Sequence, residues 1–338
     1  MKKILLVTDA WAPQVNGVVR VLNALIPILK ARGYEITVIE PGQFKTIPLP
    51  LYPEIRLALF PRRRIREILY KLHPDVVCLV TEGPLGWAAR SVCREQRIPF
   101  LTWYHSHFQL YVDVRWRGFL RPVYRFIRRF HAAASSTMVS TESLRKELEL
   151  AGFKNLVIMP LGVDTKLFTR NTAVSLPLPK PIFVYFSRLA PEKSPEEFLN
   201  LDLPGTKLVI GDGPLRKKLE KKYGNKNKFV GYKHGQELVD WLSFADVFIF
   251  PSRTETFGLV ILEALACGIP VAAHDVMGPR DIITPGEDGY VSNNLRDAAL
   301  KCLALTHDAC RAKALRYSWE HSADVFIENL MSVKLTYK

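Results

Sequence analysis

The chain is poor in the residues that staple, span or chelate. Its 338 residues include five cysteines, Cys78, Cys93, Cys267, Cys302 and Cys310. Their odd number, irregular spacing and lack of any Cys-x-x-Cys pair indicate neither a disulfide framework nor a zinc knuckle, and a reducing, cytoplasmic setting fits. No stretch approaches the roughly 18 uncharged apolar residues that a membrane-crossing helix needs. The opening run Ile4-Leu5-Leu6-Val7 is cut off by Asp9 and reads as a first strand rather than a signal peptide. A Gly-x-Gly-x-x-Gly fingerprint fails because Arg216 stands where its third glycine belongs, and there is no Gly-Lys-Ser/Thr, so a dehydrogenase or a P-loop ATPase is disfavoured. There is no Asp-x-Asp motif and no short-period repeat.

Acidic residues are also in deficit, 33 against 47 Lys and Arg, for a formal charge of +14. The deficit is local. Residues 1–163 carry 24 basic and 12 acidic side chains, whereas residues 164–338 carry 23 and 21. The basic surplus gathers in Arg62-Arg63-Arg64 with Arg66, and in the run from Arg115 to Arg129. Scattered lysines would serve solubility alone, but clusters confined to one half point to an anionic partner.

Hydrophobic residues make up 48% of the chain and charged residues 24%, an ordinary globular composition long enough for two domains. Short apolar runs alternate with helix-period segments, the pattern of parallel sheets covered by helices on both faces. In the first half Ile4–Val7, Glu35–Ile39, Val76–Val80, Phe100–Trp103, Ser136–Val139 and Leu156–Met159 read as strands; in the second, Ile182–Phe186, Lys207–Ile210, Lys228–Val230, Val247–Phe250 and Pro270–Ala273. Val18–Ala31 has helical apolar spacing and ends at Gly33. The spacing therefore predicts two doubly wound α/β units: residues 1–165, a linker over 166–181, and residues 182–315. Residues 308–336 read as one long helix with no strand after it, returning over 316–338 to the first domain.

Open α/β sheets bind ligands beyond the carboxyl ends of their strands, so strand-to-helix loops hold the candidates. After the first strand come Asp9, Asn16 and Gly17. A glycine at a helix start lets an anion or a sugar reach free N–H groups, although an Asn16-Gly17 turn that merely caps the helix fits equally well. In the second half Arg188 and Lys193 offer two cations beside a helix start, suited to a diphosphate, while each alone reads as a surface charge. Gly211-Asp212-Gly213-Pro214 is a Gly-rich turn after a strand. The run from Pro251 to Pro270 places Glu255 at a strand end, Phe257, Gly258 and Leu259 at a helix start, and Glu263 inside a helix otherwise set to bury Val260, Ile261, Leu262 and Leu265. A carboxylate there needs a partner, and a vicinal diol is a good one. The alternative is a solvent-facing glutamate.

Taken together, Glu255-x7-Glu263, the Arg188/Lys193 pair, Gly211-Asp212-Gly213-Pro214 and Gly231 resemble the GT-B glycosyltransferases, specifically the large retaining family 4. The resemblance covers essentially the whole chain. Thr8-Asp9 with Pro13–Val18, Glu82-Gly83-Pro84-Leu85-Gly86, Tyr104-His105-Ser106-His107, Leu161-Gly162-Val163-Asp164 and Gly278-Pro279-Arg280-Asp281 resemble its bacterial subgroup that glycosylates membrane lipids, with mannosyltransferase-like and sulfoquinovosyltransferase-like members. The resemblance implies two Rossmann-like domains facing across a cleft and transfer of a hexose from a nucleotide-diphosphate sugar, GDP-mannose or a UDP-hexose, to a lipid hydroxyl with retained configuration. It implies that Arg188 and Lys193 hold the donor diphosphate, Glu263 the ribose, and Glu255 the sugar, with Phe257, Gly258, Leu259, Gly211 and Gly213 around the donor. It places His105 facing the reacting centre, Gly17 beside acceptor or phosphate, and Asp9, Asn16 and His107 on the acceptor side. Neither a metal nor another cofactor is implied, and His105-x-His107 stands as the sole metal reading.

At 100° per residue, Trp116–Phe130 puts Trp116, Phe119, Leu120, Val123, Tyr124, Ile127 and Phe130 on one side of a helix and Arg117, Arg121, Arg125, Arg128 and Arg129 on the other. The arginines suit anionic headgroups at the inner face of the cytoplasmic membrane, or a solvated face on a helix packed against the sheet. Two alternatives stand beside a lipid acceptor: a soluble or polysaccharide acceptor, and a basic nucleic-acid-binding protein, which would leave the Glu255–Glu263 run without a use.

Overall fold

The structure, a computed structural model, describes residues 2–14, 16–49, 52–105, 120–174 and 177–332, with the backbone alone at Tyr52 and at residues 120–123. The chain divides into two units, one of residues 1–161 with 319–338 and the other of residues 162–318.

In the first unit the order is β1 (Lys3–Val7), α1 (Gly17–Ala31), β2 (Glu35–Ile39), β3 (Thr46–Leu49), β4 (Tyr52–Ala58), α2 (Arg62–Leu72), β5 (Val76–Leu79), α3 (Pro84–Glu95), β6 (Phe100–Trp103), α4 (Leu120–His131), β7 (Ser136–Val139), α5 (Glu142–Leu150) and β8 (Leu156–Ile158). A six-stranded parallel sheet runs β2-β1-β5-β6-β7-β8. Its central strands are apolar on both faces because helices cover both. On one face Leu5, Val7, Val77 and Leu79 pack under Ile65 and Leu69 of α2, Leu85, Ala89 and Val92 of α3, and Phe130 of α4. β3 and β4 form a separate antiparallel pair that periodicity does not reveal.

α1 shows how local signals act here. The Asn16 side chain accepts from Val19 N–H at 3.0 Å and closes the helix start. At its end Gly33, at φ +84°, donates to the Lys30 carbonyl while Tyr34 donates to that of Leu29.

In the second unit follow β9 (Ile182–Phe186), α6 (Pro195–Asn200), β10 (Thr206–Ile210), α7 (Arg216–Tyr223), β11 (Lys228–Gly231), α8 (Gly235–Leu242), β12 (Val247–Phe250), α9 (Leu259–Ala266), β13 (Val271–Ala273), α10 (Pro279–Ile282), β14 (Gly289–Val291), α11 (Leu295–Cys302) and α12 (His307–Ala314). The sheet, again six-stranded and parallel, runs β11-β10-β9-β12-β13-β14. Residues 162–174 belong to this unit: Asn171 donates to the Ser243 hydroxyl and to Asp240, and Arg311 gathers the carbonyls of Thr165, Phe168 and Ala266.

The single helix expected over 308–336 is instead two. α12 stops at Ala314 and α13 (Trp319–Met331) belongs to the first unit. Between them the Tyr317 carbonyl accepts from Val163 N–H at 3.0 Å, so it is diverted from a helical ladder. α13 packs on α1, with Arg32 paired to Asp324 at 2.6 Å and Phe326 stacked on Trp103 at 5.6 Å.

Candidate active site

The second unit's sheet starts in its middle. From β9 the chain moves to β10 and β11 on one side, then returns to the other side at β12. The loops after β9 and β12 therefore splay apart, and a crevice at the carboxyl ends of the strands follows from that topology. Those two loops carry Arg188 with Lys193, and Glu255 with Gly258. They are tied together: Lys193 Nζ is paired with the Glu255 carboxylate, and the hydroxyls of Ser252 and Thr254 both donate to the Glu192 carbonyl, at 3.2 and 3.3 Å. Burial pushes the Lys193 ammonium down to about 8, with the Arg188 charge acting in the same direction. Two cations held close, one losing hydration, favour an anionic ligand.

Gly211 and Gly213 seat the Arg188 loop. At φ +149° and +155°, a Cβ on either would stand 2.0 Å from the Ser187 carbonyl oxygen and 2.6 Å from that of Leu189. The close approach lets Leu189 N–H reach the Asp212 carbonyl at 2.8 Å and Leu215 N–H reach that of Leu189 at 3.0 Å. Glycine is required by the turn itself. Gly231 receives the Gly211 N–H at 2.8 Å.

Beyond β12, Gly258 takes φ +95° and opens α9, whose first residue is Leu259. Phe257 is buried, and Gly278 presses on it so closely that a Cβ would lie 2.8 Å from the Phe257 carbonyl oxygen. Glu263 is 8% exposed in a helix whose other central residues, Ile261, Leu262, Ala264 and Leu265, are wholly buried. It is therefore not the solvent-facing glutamate of the alternative reading. A shallow hollow of about 410 Å³, lined by Asp288, Ala309, Lys313 and Arg316 among others, includes none of these residues.

The first unit repeats the topology, its loops splaying between β1 and β5. Asp9 is buried there and committed to α3: its carboxylate accepts from Leu85 and Gly86 N–H, at 2.9 and 3.3 Å, and from the Thr81 hydroxyl at 2.9 Å. Desolvation outweighs those bonds and raises the carboxyl to about 6, with Glu82 adding to the shift. Nothing stands within 4 Å of where a Gly17 Cβ would be, so the start of α1 is open beside its Asn16 cap. His105 follows β6 and lies against Trp103, ring centroids 4.5 Å apart; burial pushes its imidazole down to about 3, leaving it neutral at physiological pH. His107 and Arg117 lie outside the described residues, as does the Arg121 side chain.

Two polar networks escaped the sequence reading. His131, buried at the end of α4, lies 3.1 Å from Glu82 Oε1 and 2.8 Å from Thr102 Oγ1, which in turn meets Thr137 Oγ1 at 2.9 Å. In the second unit His274, buried after β13, lies 2.7 Å from Glu197 Oε1, which also accepts from Arg253 at 3.2 Å. Neither pair shares a local spacing. Glu82 belongs to the Glu82-Gly83-Pro84-Leu85-Gly86 run that leads into α3.

On α4, Ile127 and Phe130 are buried while Arg125, Arg128 and Arg129 are exposed. Arg128 donates to the Ala151 carbonyl at 3.1 Å. Arg90 of α3 donates to the carbonyls of Arg129 and Phe130, at 2.6 and 2.9 Å, and clamps the helix end. Phe126 remains half exposed against Trp87. Among the described residues no group of three or more His, Cys, Asp or Glu is placed to hold a metal ion.

Two parallel sheets with their loops arranged in this way define a tandem Rossmann-like fold. Residues 15–167 match Glycosyltransferase Family 4, and residues 170–316 match Glycosyl transferases group 1. The chain belongs to the family 4 GT-B glycosyltransferases and is an enzyme of that class. It is 30% identical to the sulfoquinovosyl transferase of Arabidopsis thaliana over 81% of this chain, and the match spans only 60% of that protein's length. It is 27% identical to a GDP-mannose-dependent alpha-mannosyltransferase of Mycobacterium tuberculosis, over 98% of this chain and 97% of the other. Against the alpha-monoglucosyldiacylglycerol synthase of Acholeplasma laidlawii identity is 28%, over 78% of each chain. The solved sucrose-phosphate synthase of Thermosynechococcus elongatus shares the fold, with a TM-score of 0.76 at 20% identity over 98% of this chain and 100% of that one.

Proposed function

We propose that the enzyme moves a hexose from a nucleotide-diphosphate sugar to a hydroxyl of a membrane lipid, of diacylglycerol or glycolipid type, with retention of configuration. The observation that carries this reading is the Lys193–Glu255 pair beside Arg188 where the second unit's strand order reverses. A diphosphate competes with Glu255 for Lys193. Its arrival frees the carboxylate to accept sugar hydroxyls and lets Arg188 and Lys193 stabilise charge developing on the leaving phosphate. Buried Glu263 then accepts from the ribose diol.

On the first unit, neutral His105 serves as a hydrogen-bonding group rather than as a titrating base. Asn16, with Asp9 fixing the loop, stands on the acceptor side, and Gly17 leaves the helix start open to the donor phosphate or the acceptor. We assign no metal or cofactor a part. The diacylglycerol-directed relative and the exposed arginines of α4 support a lipid acceptor. No helix of the described residues is long and apolar enough to cross a membrane. On the strength of those arginines and that relative, we place the enzyme peripherally, at the inner face of the cytoplasmic membrane.

The test is a thermal-shift panel of GDP-mannose, UDP-glucose, UDP-galactose and UDP-glucuronate, followed by incubation of the binding donor with membrane lipid. Stabilisation by one nucleotide sugar and hexose recovered in the lipid phase is the expected result. Labelled hexose recovered only on water-soluble acceptors contradicts the lipid acceptor.

A further inference from the structure

The run Glu82-Gly83-Pro84-Leu85-Gly86 joins β5 to α3 where the first unit's strand order reverses. The fold accounts for every residue of it but the first. A Cβ on Gly83 would stand 2.4 Å from the Asp9 carboxyl carbon, and one on Gly86 would stand 1.9 Å from the Thr81 carbonyl oxygen, so both positions require glycine. Pro84 opens α3, and the N–H groups of Leu85 and Gly86 bond the Asp9 carboxylate. Asp9 thereby fills the positive end of α3 with a carboxylate of the chain's own, and that end is closed to a ligand phosphate.

Glu82 is the residue that α3 does not need. It is held instead by His131, which reaches Thr102 on β6 and through it Thr137 on β7. With Glu82 ionised, one assignment satisfies the whole chain: Nε2–H donates to Glu82 Oε1, Nδ1 accepts from the Thr102 hydroxyl, and Thr102 Oγ1 accepts from that of Thr137. Tyr104, Phe130 and Phe153 pack around the imidazole, with ring centroids 5.5, 5.1 and 5.9 Å away. Apolar side chains of similar volume would stabilise this interior as well or better, so the pair is better explained by the carboxylate that it fixes. His131 takes Oε1 alone; among the described residues Oε2 has no hydrogen-bond partner. Glu82 keeps 8% of its surface, the share that Glu263 keeps.

We propose that Glu82 determines acceptor specificity: its carboxylate, fixed by His131, accepts a hydrogen bond from a hydroxyl of an uncharged headgroup and turns away a phosphate at that place. An ionised carboxylate only accepts, so a hydroxyl suits it, whereas a phosphate is repelled by Glu82 and by Asp9 at the closed end of α3. The Glu82 charge is felt there, since it contributes to the raised Asp9 carboxyl. His131 is a positioning residue that acts through Glu82. The inference rests on the lipid-acceptor reading and narrows it to neutral lipids, a diacylglycerol or an uncharged glycolipid, over phosphorylated ones.

The test is hexose transfer from the binding nucleotide sugar to dioleoylglycerol, to monoglucosyl dioleoylglycerol and to phosphatidylinositol, each in phosphatidylcholine vesicles. The native enzyme should glycosylate one of the neutral lipids at least about tenfold faster than phosphatidylinositol, a comparison that needs no variant. Glu82→Gln preserves volume and leaves an amide oxygen for His131, so it should unfold cooperatively and keep its thermal shift with the nucleotide sugar. Its kcat/KM for the neutral lipid should fall about tenfold or more and that for phosphatidylinositol should fall less or rise, so the preference collapses. A lesion of packing alone would lower both alike. His131→Leu should lose the same preference, and His131→Gln, whose amide can donate to Oε1, should restore part of it. A preference unchanged in Glu82→Gln, or native use of phosphatidylinositol equal to that of the neutral lipids, overturns the assignment and leaves the lipid-acceptor reading standing. Hexose recovered on no lipid overturns that reading, and the inference with it.

Discussion

Lys193 closes an ion pair on Glu255 across a sequence separation of 62 residues, joining the loop after β9 to the loop after β12. The first prediction concerns its pH dependence. Burial lowers the ammonium to about 8, so the free enzyme loses this cation as pH rises through that value. Affinity for a nucleoside diphosphate should be constant below about pH 7.5 and weaken above 8, and Lys193→Arg should flatten the profile because a guanidinium stays charged. Lys193→Ala should weaken binding by about 2 kcal/mol, roughly 30-fold, the scale of a charge-assisted hydrogen bond. Calorimetric titration from pH 6 to 9 measures both.

Glu263 is predicted to matter for the donor and not for folding. Alanine is the best helix former and suits the interior of α9, so Glu263→Ala should leave the protein folded, with a cooperative unfolding transition. Nucleotide-sugar affinity should drop by at least about tenfold, as expected when a charged hydrogen-bond acceptor is removed. Unchanged donor affinity would remove Glu263 from the site.

Asp9 gives a stability prediction with a definite sign. Its carboxyl is raised from 3.8 to about 6, so the native state holds this proton more tightly than the unfolded chain. Its contribution is fully present below pH 4 and is lost as pH rises to 6, a decline of about 3 kcal/mol. Surface carboxylates such as Glu95 and Glu142, lowered by their arginine partners, act in the opposite sense at lower pH. Denaturant unfolding of the native protein and of Asp9→Asn should therefore diverge between pH 4 and 6, with the downward component absent in the variant.

His105 is predicted to act without titrating. With its imidazole near 3, it contributes no limb to the pH–rate profile between pH 5 and 8. His105→Ala should lower kcat by about 10²-fold, the low end for a positioned group at a reacting centre, and leave donor affinity nearly intact. An acidic limb that vanishes in His105→Ala would reassign it as a proton carrier.

The central strands of both sheets were legible because parallel strands covered on both faces read as continuous apolar runs, as Ile4–Val7 and Ile182–Phe186 do. The β3–β4 pair was not, since Pro48 and Pro53 argue against a strand, and only a two-stranded edge tolerates them. The break between α12 and α13 carries no glycine or proline; it comes from a Tyr317–Val163 contact that no local pattern encodes. The site divides in the same way. Residue types and strand ends marked Arg188, Lys193, Glu255 and Glu263, but the union of Lys193 with Glu255 is tertiary. So are the Asp9 bonds to a helix 76 residues away and the Glu82–His131 pair, 49 residues apart.

The most direct test of the account is transfer itself. The purified enzyme is incubated with a labelled nucleotide-diphosphate hexose and vesicles of extracted membrane lipid, and the lipid-phase product is resolved for anomeric configuration beside a Glu263→Ala control. The account predicts labelled glycolipid with the donor's configuration retained, formed by the native protein and lost in the control. Label confined to water, or a lipid product of inverted configuration, would contradict it.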